Sequence, residues 1–235
     1  MVVDSQGNCV KYVKMDGSII YNKNIEGINI VIKGNNNIIV IYECGGGYYD
    51  CNITMHSNNI VLLRKSKYAI RGVRAFLNSR CKLDIAEDFS CLNCDMRMQE
   101  DDTAIFIGSD CMFSTEICIY TTDGHAIYTE DGTFINKGKD VLIGNHVWLG
   151  RRCILLKGVV IGNNSIVGLG AIVTKPFPIS NAILAGFPAK VIKTGVNWDR
   201  KDPAHYKRVT GKKNKRSSLF FYSLRNFFYR LFMKE

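Results

Sequence analysis

The sequence predicts an all-β fold, a parallel β-helix in which short strands stack coil upon coil. Three observations point there. Aliphatic residues recur at a step of six, and near-identical turn motifs return eighteen residues apart. Glycine is plentiful at 21 and proline scarce at four among 235 residues, which suits many tight turns between short extended segments.

The step is clearest from Ile143, where it lands on Leu149, Leu155, Ile161, Val167 and Val173. The residues that follow these six are Gly144, Gly150, Leu156, Gly162, Gly168 and Thr174. Four positions after the first five stand Val147, Cys153, Val159, Ser165 and Ala171, all small or β-branched. A period of six fits neither the helical 3.6 nor the strand alternation of two. It describes a chain that runs straight, turns and repeats, and three such turns close a triangular coil of about eighteen residues. The aliphatic residues are expected to point inward, with glycine and asparagine taking left-handed backbone at the corners. "IGNH" at Ile143 and "IGNN" at Ile161 are one such coil apart.

The frame continues upstream. "IGSDC" begins at Ile107, with Phe113 and Ile119 following at sixes, and its distance of 36 residues from Ile143 reads as two coils. "IAEDF" at Ile85 lies 22 residues before Ile107, which reads as a coil with four residues inserted. "IKGNNNIIVI" from Ile32 and "MHSNNIVLL" from Met55 read as irregular early coils. A β-sandwich also has frequent turns, but it does not explain the six-step. The expected organisation is an N-terminal cap over 1–24, the β-helix over 25–195, and a basic linker with an amphipathic helix over 196–235. That helix rests on Leu219, Leu224, Phe227, Phe228, Leu231 and Phe232, whose spacings of three and four make one apolar face.

A chain that is 46% hydrophobic and 22% charged can bury a core. Its net charge of +10 is uneven: from Gly211 onward seven basic residues face only Glu235, so +6 belongs to the tail. This balance suits polyanions such as CoA phosphates, an acidic polysaccharide or anionic lipid; no nucleic-acid partner is expected. The tail pattern, basic residues beside an aromatic-rich face, is that of segments lying in a membrane interface. No signal peptide and no apolar run of about 18 residues are seen, so a cytoplasmic protein peripheral to the inner membrane is expected. The nine cysteines are expected as free thiols. Cys91 and Cys94 form a lone CxxC, short of the four ligands of a closed zinc site, and no metal is expected.

Four stretches carry a resemblance: "DGHAI" (123–127), "IGNHVWLG" (143–150), "IGNNSIVGLGAIVTK" (161–175) and "AGFPAKVIK" (185–193). Over about residues 105–195 the chain resembles the hexapeptide-repeat acyltransferases, and most of all the branch that O-acetylates sialic acid and bacterial surface polysaccharides. The resemblance implies a left-handed β-helix, a homotrimer with sites between subunits, and acetyl-CoA as co-substrate. It implies that His125 is the general base toward a sugar hydroxyl; an imidazole is the side chain best suited to that task near neutral pH. It implies that Trp148 lies at the thioester, with Gly150, Gly168 and Ala171 along the pantetheine arm and Lys175, Lys190 and Lys193 toward the phosphates. Ala171 departs from the serine the family often has. Asp123 and Tyr128 are candidates for the acceptor side, Asp123 also for orienting the imidazole, and acceptor contacts are expected on the loop from Tyr128 to Lys139.

Other readings stay open at this point. A zinc hydratase of the same fold needs three converging histidines, and only His125 and His146 lie in the matching region. A small-molecule or antibiotic acetyltransferase shares the repeat. A non-catalytic solenoid binding a polyanion would explain the basic tail but not the pairing of His125 with Trp148.

Overall fold

The computed structural model describes residues 4–21 and 24–211. A first compact unit runs to Trp198 and is a left-handed parallel β-helix of about seven coils. Each coil visits three sheets in turn. In one coil the chain passes through Ala104–Ile107 in the first sheet, Met112–Phe113 in the second and Ile117–Tyr120 in the third. Successive coils stack these strands in parallel, so each sheet runs the length of the solenoid.

The six-step residues from Ile143 to Val173 are all buried, and Val147, Cys153, Val159, Ser165 and Ala171 fill the corners at no more than 1% exposure. Burying one aliphatic side chain is worth about 1.5–3 kcal/mol, and the inward file repeats in every coil. Phe89 and Phe113 meet edge to face inside it, with ring centroids 4.9 Å apart.

Gly158 and Gly170 take the expected left-handed backbone, at φ of 77° and 70°, but the glycines after the inward isoleucines serve another purpose. Gly108, Gly144 and Gly162 are not left-handed. A Cβ on them would lie 2.5 Å from Asn145 Oδ1, 2.5 Å from Asn163 Oδ1 and 2.2 Å from Ile179 O, so glycine is required for one coil to approach the next. At these three corners the left-handed residues are Asp110, His146 and Asn164, at φ of 57°, 54° and 57°. Asparagine, aspartate and histidine tolerate this region better than other side chains.

Two readings of the coil count are corrected. Ile107 pairs directly with Ile143, so their 36-residue separation is one coil carrying an excursion between the third and first sheets. The next coil, from Ile143 to Ile161, has the plain eighteen. The first coil is irregular, with Tyr12 pairing to Ile41 at 29 residues, but those after it are regular: Ile41, Leu63, Ile85 and Ile107 pair in succession at 22 residues each. Their extra length lies mainly in the third sheet, where Cys51–Met55, Val73–Leu77 and Cys94–Met98 are five-residue strands; Ile154–Leu155 and Ile172–Val173 have two.

The parallel ladder starts at Cys9–Val13, inside the segment expected as a cap, and Ile19–Ile20 folds back antiparallel to cover that edge. At the other end Ala182–Gly186 joins the second sheet and turns into the antiparallel strand Ala189–Thr194. The second unit begins at Asp199 and, in its described part, holds the helix Pro203–Thr210. Asp202 caps that helix by accepting from the Ala204 and His205 N–H groups, and left-handed Gly211 ends it. The basic cluster from Lys212 and the tail helix expected over 219–233 lie outside the described residues. Among the described residues no helix is long and apolar enough to cross a membrane.

A polar file runs up one corner of the apolar core. The buried Asn8, Asn37 and Asn59 stack on successive coils. Asn8 Oδ1 accepts from Asn37 N (3.0 Å), Asn37 Oδ1 from Asn59 N (2.9 Å), and Asn59 Oδ1 from Cys81 N (2.8 Å). The side-chain amides of Asn37 and Asn59 donate to His56 O and Asn78 O, each at 2.7 Å. In "NNN" and "NN" the preceding residues, Asn36 and Asn58, supply the left-handed corner, so each pair divides the turn and the ladder between them.

The cysteines belong to the same interior. All nine are free, and all but Cys118 are buried. Burial pushes the Cys153 thiol up to about 11 and holds Cys94 well above the ordinary thiol range. They are packing groups of the interior.

Candidate active site

The excursion over residues 121–140 leaves and returns at one point. Thr121 is buried, its Oγ1 2.9 Å from Thr103 Oγ1, and the Lys139 N–H donates to Thr121 O at 2.9 Å. The Gly138 N–H donates to Glu100 Oε2 (2.7 Å), and Asp140 Oδ1 accepts from Ala104 N (2.8 Å). Between these anchors the chain folds on itself, with Tyr128 bridging Phe134 and the Thr129 N–H donating to Thr133 O.

His125 stands near the start of this excursion and is exposed. Its ring makes no hydrogen bond to a described residue. Its backbone is held: Asn136 Nδ2 donates to His125 O (2.8 Å), and Asn136 Oδ1 accepts from Ile127 N (2.7 Å). Asp123 does not orient the imidazole. Its carboxylate takes the Lys157 ammonium and a hydrogen bond from Asn136 Nδ2 (2.9 Å), while Lys157 also donates to Asn136 O (2.7 Å). The Lys157 hydrogen bond, opposed in part by lost hydration, holds the Asp123 carboxyl below its usual range. Asp123 therefore moors the loop to the following coil. Tyr128 is 69% exposed, in company with Ile127, Phe134 and Ile135.

Trp148 lies in the second sheet, paired to Met112 and Ile166. Leu149 beside it points inward, so strand alternation turns Trp148 outward, where it is 38% exposed. It forms one end of an apolar groove of about 370 Å³ that runs past Met112 and Ser90 to Ala69.

One chain does not bring His125 to Trp148. The excursion leaves the corner between the third and first sheets, and Trp148 is on the second sheet, across the triangle. Lys157 tethers Asp123 to that corner, and two further residues of chain reach at most about 7 Å.

The remaining candidates divide in the same way. The Gly150 N–H donates to Val167 O (2.8 Å) and the Gly168 N–H to Leu184 O (2.7 Å), so both amides are used between coils. Ala171 is fully buried, with its N–H 3.2 Å from Gly168 O. What Gly150 offers is the absence of a Cβ, which would sit 2.8 Å from Leu169 N. Lys190 and Lys193 are exposed on the last strand of the second sheet. Lys175 is at the third-to-first corner, with its ammonium over the Phe177 ring.

Several partners escaped the sequence reading. Lys157 sits two residues past Leu155 in the six-step, and Asp110 stands 36 residues before His146, the Ile107–Ile143 distance. Both were within reach of the repeat once that distance is one coil. Trp198 lies beyond the repeat, and no pattern marks it. Among the described residues no three His, Cys, Asp or Glu side chains gather as a metal site would need.

The repeat matches the family described as bacterial transferase hexapeptide (six repeats) over residues 140–175. A polysialic acid O-acetyltransferase of Neisseria meningitidis is 50% identical over 172 residues, covering 73% of this chain and 79% of that protein. One of Escherichia coli O1:K1 is 41% identical over 105 residues, 44% of this chain and 34% of that protein. Among solved structures, the polysialic acid O-acetyltransferase OatWY superposes with a TM-score of 0.68 at 31% identity, covering 93% of this chain and 98% of that one. The polySia-specific acetyltransferase NeuO gives 0.63 at 26% identity, covering 87% and 95%. With a relative half identical over most of both chains, and the repeat that builds the solenoid matched as well, the protein belongs to the hexapeptide-repeat acyltransferases and is an O-acetyltransferase.

Proposed function

We propose that the protein transfers the acetyl group of acetyl-CoA to a hydroxyl of a sialic acid-containing bacterial capsule polysaccharide, at sites shared between copies of the chain in a homotrimer. The observation that carries the shared site is the separation of His125 and Trp148 within one chain. A neighbouring copy that sets its excursion against the second sheet brings the two together. Two surfaces support such an assembly. The excursion exposes Ile127, Tyr128, Phe134 and Ile135, and the first sheet turns Ile38, Ile60 and Leu142 outward at 37–40% exposure. Apolar surface of this extent is stabilised by burial against a partner.

In this reading His125 takes the proton of the acceptor hydroxyl as its oxygen attacks the thioester carbonyl, and CoA leaves as the thiolate. No covalent enzyme intermediate is formed. Trp148 presents a flat apolar face and one N–H donor at the thioester. From Trp148 a file of outward positions runs through Ile166 and Ile183 to Lys193, with Lys190 three residues before it on the last strand. Three strand spacings make roughly 14 Å, a path for the pantetheine arm that ends at basic side chains suited to the CoA phosphates. Lys175 leaves the same corner as the excursion, so the copy that supplies His125 would supply it.

The relatives' names bring the acceptor to this chain: both are polysialic acid O-acetyltransferases. Release of free thiol from acetyl-CoA, followed over a panel of sialosides, polysialic acid, uncharged capsule polymers and aminoglycosides, tests it. Turnover confined to sialic acid-containing acceptors is expected. Turnover confined to aminoglycosides would establish the small-molecule reading, and no turnover with any acceptor would favour a binding solenoid. Contact of the basic tail with anionic lipid remains part of the proposal, placing the enzyme beside polysaccharide assembly at the inner membrane.

A further inference from the structure

Trp198, the last residue of the solenoid unit, is tied to His146 by three contacts. The indole lies flat on the imidazole, with centroids 4.2 Å apart and planes 9° apart. Indole Nε1–H donates to His146 O at 2.8 Å, and His146 Nε2, facing a carbonyl that only accepts, donates to Trp198 O at 3.1 Å. The other imidazole nitrogen, Nδ1, is 2.6 Å from Asp110 Oδ2 on the preceding coil. The imidazole is thereby fixed from both ends at a left-handed corner. Two residues on, Trp148 meets the far side of this cluster: its ring centroid is 6.1 Å from that of Trp198, at 46°.

We propose that Trp198 is a positioning residue for Trp148, held by the His146–Asp110 pair, so that the strap after the last strand sets the orientation of the thioester end of the site. Trp148 is 38% exposed on a flat sheet face, with groove on one side of it. An indole so placed has several rotamers open to it. Trp198 packs against the Trp148 ring and does not itself line the groove that Trp148 faces. A tilted aromatic pair of this kind attracts beyond its burial, enough to favour one rotamer by a few-fold to about tenfold. The strap also lies against the helix corner through reciprocal bonds: the Val196 N–H donates to Asn181 O and Asn181 Nδ2 to Val196 O. The clamp is therefore built on the rigid end of the solenoid.

This inference rests on the reading of Trp148 as the thioester residue, and the test separates the two. The chain has two tryptophans, so replacing Trp198 leaves Trp148 as the sole tryptophan, read by excitation near the red edge where tyrosine does not absorb. In the full-length protein, Trp198→Phe keeps a ring against both neighbours, whereas Trp198→Leu keeps apolar volume without the ring. Expected for Trp198→Phe are Trp148 emission shielded from acrylamide and turnover within about threefold of wild type. Expected for Trp198→Leu are Trp148 emission several-fold more quenchable and kcat lower by about five- to tenfold, the loss of the rotamer preference that the ring pair supplies. KM for acetyl-CoA should change less than kcat, and His146→Leu should reproduce the loss of kcat. Equal quenching and equal kcat in the Phe and Leu variants would overturn the positioning role. Increased quenching in Trp198→Leu with kcat unchanged would overturn it too, and would count against Trp148 acting at the thioester.

Discussion

His125→Ala is expected to lower acetyl transfer by about 10²–10⁴-fold, the usual worth of a positioned base, and to leave the protein folded. The structure separates the two effects cleanly. The imidazole holds nothing in place, since its ring makes no hydrogen bond to a described residue. The contact that matters to the loop is made by the His125 carbonyl with Asn136 Nδ2, which alanine keeps. The Lys157–Asp123 mooring and the Thr121–Lys139 closure are untouched. Binding of CoA should persist, because the file from Trp148 to Lys193 lies on another sheet. Turnover at saturating acceptor, circular dichroism and CoA affinity, measured on one preparation, check all three. A variant with more than a tenth of wild-type turnover would remove His125 from the chemistry.

The largest effect on stability is expected from the polar ladder. Asn59→Ala removes the acceptor of the buried Cys81 N–H and the donor to the half-buried Asn78 O. A buried group left without its partner costs about 1–3 kcal/mol, so the two together should cost roughly 2–6 kcal/mol. At about 2–4 °C per kcal/mol for a domain of this size, the thermal midpoint should drop by roughly 5–20 °C at fixed protein concentration. Asn59→Asp keeps the shape but cannot donate to Asn78 O, and it introduces a buried charge, so it should fare no better. The coil that carries Trp148 lies three first-sheet strands away, and the folded fraction of either variant should keep its turnover. A midpoint within a degree or two of wild type for Asn59→Ala would mean that water or a backbone shift satisfies the orphaned groups.

The six-step between Ile143 and Val173 was legible because each side of those coils is one strand of two residues and one turn, so the inward positions fall at a single spacing. In the 22-residue coils the third side is a five-residue strand. Its alternation in "CNITM" or "VRAFL" breaks the step of six without breaking the stack, and these coils looked irregular when they are not. The excursion was hidden by arithmetic: eighteen extra residues equal one coil, so Ile107 and Ile143 kept phase. "NNN" and "NN" were legible as turns, but not as a ladder, because the inward last asparagine of each reveals itself only through a partner one coil away. For the site, His125 and Trp148 stood out as a rare histidine after a turn and an indole in a repeat. Their opposite placement on the triangle did not, since it depends on which corner the excursion leaves. Asp123, close to the histidine in sequence, was a candidate for orienting it, for capping the turn or for the acceptor side; the structure gives its carboxylate to Lys157, 34 residues on, and to Asn136. Trp198 acts through stacking on His146, a contact across 52 residues with no periodic signal.

The shared site is the claim most open to direct test. His125→Ala and Trp148→Ala subunits, each inactive or nearly so alone, can be unfolded together, or co-expressed with separate tags, and assembled at equal ratio. In a cyclic trimer where each site takes His125 from one copy and Trp148 from the next, every mixed trimer contains one intact pairing out of three. Three quarters of randomly assembled trimers are mixed, so about a quarter of wild-type turnover should return. Activity of the mixture no greater than that of the two parents, in trimers shown by their tags to be mixed, would place both side chains in a site within one chain and contradict the account.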